Sequence, residues 1–225
     1  MRLLDLYCGA GGAGRGYHRA GFDVTGIDLL EQKHYPHTFI RGDVLNLDPH
    51  WIASEFDAVH ASPPCQAHTG LKHAPGGKLH ADLIPATRQL LKRTGLPYVI
   101  ENVVGAPLIA PITLCGSMFG LAAGEYQLRR HRLFEINWNI PKVPECRHTT
   151  PVIGVYGGHV RCRSSAHGGR LSRDFPDADK KKLAQVAMGI DWMTMNEMSQ
   201  AIPPMYTDWI GRRMLKHMEG SSGNG

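Results

Sequence analysis

The chain contains 225 residues, of which 42% are hydrophobic and 20% charged, a composition typical of one globular domain with at most a small appendage. It has no run of 18 apolar residues and its start lacks the features of a signal peptide, so we expect a cytoplasmic protein without a membrane span. Five cysteines, an odd number, argue against a disulfide framework, and the formal net charge of +5 is compatible with a polyanionic partner.

The first 120 residues alternate between short β-rich runs and helix-like stretches. We predict a helix over residues 81–93, where leucines and an isoleucine recur near helical spacing. Such alternation predicts an α/β fold, with a mostly parallel sheet and helices on both faces. Ligands of these sheets bind at the carboxyl ends of the strands. The five predicted strands span residues 2–7, 24–28, 38–41, 56–61 and 96–100.

The second half of the chain changes character at about residue 141. A further strand is predicted over residues 133–139, and the segment 141–179 is rich in Pro, Gly, Arg and His without helical periodicity. Its one clear strand candidate is 152–156. We predict short helices over 180–189 and 196–200, a last helix over 206–218, and disorder over 220–225.

A glycine-rich loop follows the first predicted strand and opens a helix. The stretch from Asp5 to Gly14 allows a tight turn and close approach to a ligand, and Asp28 and Asp43 end the next two strands. Acidic strand ends of this kind suit a nucleoside-type cofactor, because they can accept hydrogen bonds from ribose hydroxyls. A structural turn or a dinucleotide site stays open, whereas the missing Lys-Ser/Thr argues against a triphosphate loop.

Two reactive side chains follow neighbouring predicted strands. Cys65 ends the sequence Ser-Pro-Pro-Cys, in which the prolines would fix the position of the thiol, and Glu101 begins Glu-Asn-Val after the next strand. Adjacent parallel strands would bring the thiol and the carboxyl group together. The alternatives are a buried structural cysteine and a surface glutamate.

A basic cluster, Arg-Arg-His-Arg, covers residues 129–132. Alternate residues of a strand share a face, so Arg130 and Arg132 would point together and could bind a phosphate or a base carbonyl. A solvated basic strand edge is the alternative.

Taken together and in this order, these motifs resemble the cytosine-C5 DNA methyltransferase family. The residues from Gln200 to Gly211 are similar to the family's last motif, where the chain returns to the cofactor pocket. The resemblance implies a Rossmann-like S-adenosylmethionine-dependent methyltransferase fold, double-stranded DNA as partner and a monomer without an obligate protein partner. It covers nearly the whole chain except about residues 141–180.

The resemblance also implies roles for individual residues. Cys65 would attack C6 of a flipped cytosine, Glu101 would protonate N3, and Arg130 and Arg132 would stabilise the base and its phosphate. The sequence departs from the family pattern near these arginines, since Leu128 stands where Gln is usual and His131 lies between them. The residues implied for S-adenosylmethionine are Asp5, Tyr7, Cys8, Gly9, Ala10, Gly11, Gly12, Asp28, Leu29, Asp43, Val44, Pro63 and Pro204.

The segment 141–179 would be a small DNA-recognition insert between catalytic parts at 1–140 and 180–219. About 40 residues leave room for few base contacts, so we expect a recognition site of about two base pairs, as in compact enzymes that bacteriophages carry. Gln66, Asn102, Arg161 and Arg163 are the expected DNA contacts.

Three other functions stay open on the sequence. They are the same chemistry on tRNA, a catalytically silent DNA-binding module, and an oxidoreductase built on the glycine-rich loop. The insert also contains Cys146, His148, His159, Cys162 and His167, but the tight Cys146-x-His148 spacing is unusual for a structural metal site, and we expect no metal.

Overall fold

The computed structural model describes residues 1–65, 81–140, 142–163, 172–174 and 177–222. The strands are β1 Arg2–Leu6, β2 Asp23–Asp28, β3 Thr38–Arg41, β4 Ala58–Ala61, β5 Tyr98–Asn102, β6 Ile112–Leu114, β7 Ala122–Ala123, β8 Tyr126–Leu128, β9 Arg132–Ile136, β10 Val152–Tyr156, β11 His159–Arg163 and β12 Ser172–Asp174. The helices are α1 Gly12–Ala20, α2 Pro49–Glu55, α3 Ile84–Thr94, α4 Asp177–Met188, α5 Met195–Gln200 and α6 Pro204–Ser222.

The larger sheet has seven strands in the order β3-β2-β1-β4-β5-β9-β6. The five strands from β3 to β5 run parallel, whereas β9 is antiparallel to both β5 and β6. The predicted α/β fold with a mostly parallel sheet is therefore confirmed. The carboxyl ends of β1, β2, β4 and β5 meet along one edge, where the motifs of the sequence analysis follow their strands.

Helices cover both faces of this sheet. Successive residues of a strand point to opposite faces, and in β1 Leu3 packs with α1 and α6 while Leu4 and Leu6 pack with α2 and α3. The first core also includes Tyr17 and Tyr206, both fully buried. Two separate apolar cores thus fix the sheet from either side.

Helices α1 and α6 approach each other closely because small residues line their contact. A Cβ added at Gly16 would lie 2.0 Å from Thr207 Oγ1 and 2.1 Å from the Pro204 carbonyl oxygen. The Thr207 hydroxyl donates a hydrogen bond of 2.8 Å to the carbonyl of Ala13. The residues that follow the glycine-rich loop are therefore joined directly to the last helix.

A second sheet of five strands has the order β12-β11-β10-β8-β7. It combines strands from both sides of residue 141, so it extends beyond the predicted insert at 141–179. Helix α4 packs against it, and their shared core contains Val155, Val160, Ala184 and Met188. β10 was expected from the sequence, but β7, β8, β11, β12 and the helix α2 were not.

The end of the chain differs from the expectation of disorder over 220–225. Helix α6 continues through Ser222, and the last three residues lie outside the described part. Among the described residues, no helix combines the length and the apolar character that crossing a membrane requires.

Candidate active site

The loop that carries Cys65 is fixed by the residue that ends the neighbouring strand. Asn102, which is 2% exposed, donates a hydrogen bond of 2.8 Å from Nδ2 to the carbonyl of Pro63. Its Oδ1 accepts a hydrogen bond of 2.9 Å from the backbone N–H of Val103. Pro63 is buried and Cys65 is partly exposed. Asn102, expected to contact DNA, is instead buried inside the protein and ties the thiol loop to β5.

Glu101 lies beside this loop with a basic partner from β9. Its side chain is 9% exposed, and Arg132 Nε lies 3.2 Å from Glu101 Oε1. Burial raises the pKa of Glu101, while the Arg132 guanidinium and a hydrogen bond with Ser62 oppose that rise. A carboxyl group in this setting can retain a proton more readily than one in water.

The thiol of Cys65 lies near enough to Glu101 and Arg132 for their charges to affect its pKa. Burial raises the pKa of Cys65, the positive charge of Arg132 lowers it, and the negative charge of Glu101 raises it further. The four side chains expected to act together, Cys65, Glu101, Arg130 and Arg132, are thus near enough to influence one another. Arg132 favours the thiolate, which is the nucleophilic form.

A buried histidine, which was not predicted from the sequence, connects the residues around Glu101 to the interior of the protein. His60 in β4 is fully buried, and burial lowers its pKa to about 3, so the ring is neutral. The Tyr17 hydroxyl lies 3.0 Å from His60 Nδ1, and Ser62 Oγ lies 2.9 Å from His60 Nε2. Through Ser62 the chain of hydrogen bonds reaches Glu101. A histidine inside an otherwise apolar strand was the signal that could have revealed it.

The hydrogen bonds of the Arg130 guanidinium go to backbone carbonyls and not to the Arg132–Glu101 pair. Its guanidinium is buried and donates to the carbonyl oxygens of Val155 and Ser199, the latter at 2.8 Å, and also to that of Ala201. The Tyr206 hydroxyl donates to the Arg130 carbonyl at 2.7 Å. Arg130 therefore joins the small sheet to the segment before α6, while its positive charge also acts on Cys65 and Glu101 and lowers the pKa of both. Arg130 precedes β9, so strand alternation does not apply to it.

The glycine-rich loop meets the end of β2 through Asp28. The backbone N–H of Gly9 donates to Asp28 Oδ2 at 3.1 Å, and that of Leu30 donates to Oδ1 at 3.1 Å. Gly9 and Gly11 have φ values of 48° and 84°, a left-handed conformation that favours glycine. The side of Gly9 where a Cβ would stand is open, and Leu29 beside it is 61% exposed.

Other residues assigned to the cofactor lie in or below this loop. Asp5 is fully buried and accepts a hydrogen bond of 3.2 Å from the Tyr35 hydroxyl. Burial raises the pKa of Asp5 to about 8. Tyr7 Oη lies 2.9 Å from Thr87 Oγ1. The loop residues Cys8, Ala10, Gly11 and Gly12 are buried.

The predicted acidic strand end after β3 is also present. Asp43 is exposed and caps a short 3-10 turn, with Oδ1 accepting a hydrogen bond of 3.0 Å from the Leu45 backbone N–H. Val44 next to it is 2% exposed. Asp43 thus follows β3 on the same edge of the sheet as Asp28.

The C-terminal segment covers the glycine-rich loop, as expected. Trp192 Nε1 donates a hydrogen bond of 2.9 Å to the Ala10 carbonyl. A Cβ on Gly12 would lie 2.5 Å from the Ile202 carbonyl oxygen. Pro204 is buried and is the first residue of α6, a position where proline is favoured because its missing N–H would have no partner within the helix.

Two of the four expected DNA contacts lie on β11. Arg161 pairs with Gly154 and Asp174 across the second sheet, and Arg163 pairs with Val152. Arg161 is partly exposed. The expected contact Gln66 lies outside the described residues.

Comparisons with known proteins agree with this architecture. No protein-family profile matches the chain. It is 24% identical over 161 residues to the type II methyltransferase M.AgeI of Thalassovita gelatinovora, covering 59% of this chain and 38% of that one. It is 26% identical over 118 residues to the type II methyltransferase M.NgoPII of Neisseria gonorrhoeae, covering 47% of this chain and 34% of that one. The matched parts are little more than a third of either relative.

Among solved structures, the Dnmt2 methyltransferase of S. pombe superposes with a TM-score of 0.61 at 12% identity. The superposition covers 97% of this chain and 99% of that one. The chain has a mixed α/β fold similar to that of this methyltransferase structure.

Proposed function

We propose that the chain is a DNA cytosine-C5 methyltransferase that uses S-adenosylmethionine and Cys65 as its nucleophile. The observation that carries this proposal is the grouping of Cys65, Glu101 and Arg132 where β4, β5 and β9 meet. A thiol, a carboxyl group and a guanidinium are the side chains that addition to a pyrimidine requires: a nucleophile, a proton donor and a cation.

The edge beside the glycine-rich loop fits a nucleoside-type cofactor. Open space lies over Gly9, and the exposed Leu29 side chain offers an apolar surface for a base. Carboxylate oxygens of Asp28 and Asp43 have further lone pairs to accept hydrogen bonds from hydroxyl or amino groups. Bound there, S-adenosylmethionine would supply an electrophilic methyl group to C5 of the base.

The side chains of the protein would perform the addition. The Cys65 thiolate forms a bond to C6, the C5–C6 π bond opens toward C5, and Glu101 gives a proton to N3. After C5 has gained the methyl group, a base such as a water molecule takes the C5 proton and the C6–S bond breaks to release the thiolate. N3 returns its proton to Glu101, which restores the aromatic ring. Arg132, next to Glu101, stabilises both the thiolate and the polarised base.

A base stacked in a duplex conceals C5 and C6, so the target must leave the helix before the thiol can reach it. The formal charge of +5 favours a nucleic acid as partner. The small sheet β7–β8–β10–β11–β12, with Arg161 and Arg163 on β11, is the proposed recognition region, and its size favours a short site of about two base pairs.

Trapping on duplex DNA that contains 5-fluorocytosine tests nucleophile and substrate together, because fluorine at C5 prevents the final elimination. We expect a covalent complex that requires S-adenosylmethionine and withstands denaturing gel electrophoresis. Cys65→Ser should abolish the complex, and Glu101→Gln should slow its formation about 100-fold or more. Glu219→Gln, the same change at an exposed position of α6, is the matched control for Glu101→Gln and should leave trapping intact.

Nucleoside analysis after methyl transfer identifies the product. We expect 5-methylcytosine from duplex DNA and no comparable transfer to tRNA. N4-methylcytosine or N6-methyladenine, or transfer that persists in Cys65→Ser, would overturn the proposal. Preferential methylation of tRNA would retain the chemistry and reject the substrate.

A further inference from the structure

Four metal-ligating side chains converge on the face of the protein beside β9. Cys115 begins the 3-10 turn Gly116–Phe119, His131 precedes β9, and Cys146 and His148 belong to the irregular segment before β10. The ligand atoms of all four lie within 4.8 Å of one another. Three separate stretches of the chain therefore meet at one point.

The distances among these atoms match a tetrahedral metal site. Cys115 Sγ lies 3.4 Å from His148 Nε2, Cys146 Sγ lies 3.3 Å from His131 Nε2, and Cys146 Sγ lies 3.5 Å from His148 Nε2. Zinc bonds of about 2.3 Å to sulfur and 2.0–2.1 Å to nitrogen, at tetrahedral angles, place the two atoms about 3.6 Å apart. Each measured pair lies close to that separation.

The donor set and its burial suit zinc in particular. Two thiolates and two imidazoles are a common structural set for this ion, and their two negative charges balance its charge. Cys115 is fully buried, and the other three are partly buried. The thiolate is the form that binds metals.

We infer that Cys115, His131, Cys146 and His148 bind one zinc ion in a structural site. Four protein ligands complete the tetrahedron, so no position remains for a substrate or a reactive water. The inference replaces the sequence-based expectation of no metal. It does not depend on the proposed function, because it rests on this cluster alone.

The site would stabilise the part of the chain that presents Arg132. His131 adjoins Arg132, and the segment that holds Cys146 and His148 has no helix or strand of its own among the described residues. A zinc ion would join that segment to the start of β9 and to the turn at Cys115. The wide separation of the ligands along the chain explains why their spacing did not predict the site.

Metal analysis of the full chain, purified without chelators and under reducing conditions, gives the first test. We expect about one zinc per chain, and loss of that zinc in Cys146→Ser and in His148→Ala. Cys162→Ser is the control, since Cys162 lies in β11, outside the cluster, and it should keep the full amount. Circular dichroism of each variant checks that the loss is not general unfolding.

The absorption spectrum of the unaltered chain with cobalt bound in place of zinc identifies the ligand set without any mutation. Tetrahedral Co²⁺ with two thiolates should give intense visible ligand-field bands and a sulfur-to-cobalt charge-transfer band in the near ultraviolet. Folded protein that contains little zinc and fails to give this spectrum would overturn the inference, whether the thiols are free or joined as a Cys115–Cys146 disulfide. Full zinc retention in Cys146→Ser would overturn it too.

Discussion

Replacing Asn102 by alanine should loosen the loop that presents Cys65. The change removes a 2.8 Å hydrogen bond to the Pro63 carbonyl and a 2.9 Å hydrogen bond from the Val103 N–H. A buried polar group left without its partner costs about 1–3 kcal/mol. Pro63 is buried, but Val103 is partly exposed and water can replace its partner, so we expect a total loss of about 2–3 kcal/mol. For a chain of this size that lowers Tm by about 4–12 °C.

The functional consequence should exceed the effect on stability. A reacting group displaced by about 1 Å can lose about 100-fold in rate, so trapping on 5-fluorocytosine DNA should slow by that order. In the absence of DNA, the rate at which iodoacetamide alkylates Cys65 in the folded protein reports the conformation of the loop directly. Mass spectrometry of the peptide that contains Cys65 measures this rate. We expect the rate to change in Asn102→Ala.

Two variants separate the contributions of the side chain. Asn102→Asp keeps an oxygen that can accept from Val103 but places another against the Pro63 carbonyl, so it should disturb the loop as much as alanine does. Asn46→Ala, at an exposed position, should change stability by less than about 0.5 kcal/mol. An Asn102→Ala protein with unchanged Tm, alkylation and trapping would refute the assignment of this amide as the tie between loop and strand.

Three further changes test other parts of the fold. Gly16→Ala puts a Cβ 2.0 Å from Thr207 Oγ1, so heat denaturation should show a loss of about 3 kcal/mol, and an unchanged Tm would contradict the close helix contact. Arg88→Met removes both 2.7 Å hydrogen bonds that the Arg88 guanidinium donates to the buried Glu135 carboxylate, while the 2.8 Å hydrogen bond from the Ile109 N–H remains. The change should cost about 3–5 kcal/mol in urea unfolding, most of it recovered when Glu135→Leu is added. Burial lowers the pKa of His60 to about 3 from an ordinary 6.5, so the unfolded chain gains a proton first and stability falls as pH drops below about 6.5. His60→Gln should reduce that slope, and equal acid sensitivity in both proteins would argue against a neutral buried ring.

The central sheet could be predicted because its strands carry their own signals. Continuous apolar runs with Gly, Pro or Asp at their ends identified β1 to β5 within a few residues. The second sheet could not, because β7, β8 and β12 have only 2, 3 and 3 residues and depend on distant partners. Helix α2 was missed although Asp48 before Pro49 is a typical N-terminal pair.

The part of the candidate site that depends only on sheet topology could be predicted. Strand ends that neighbour one another brought Cys65 near Glu101, and no further information was needed. Arg130 and Asn102 instead donate to backbone carbonyls that lie far away in the chain, and no periodicity of the sequence encodes these pairings. The grouping of His131 with Cys115 likewise depends on tertiary packing, since 16 positions separate them in the chain.

The contact between α1 and α6 has a consequence for biosynthesis. The glycine-rich loop lies between the first strand and α1. The residues that contact this loop and the start of α1, Trp192 and Thr207, follow almost two hundred positions later in the chain. A nascent chain emerging from the ribosome can form β1 to β5 early, but it leaves this loop uncovered until the last helix has been made. A product truncated before α6 would therefore have most of the sheet but a glycine-rich loop without the cover of the last helix.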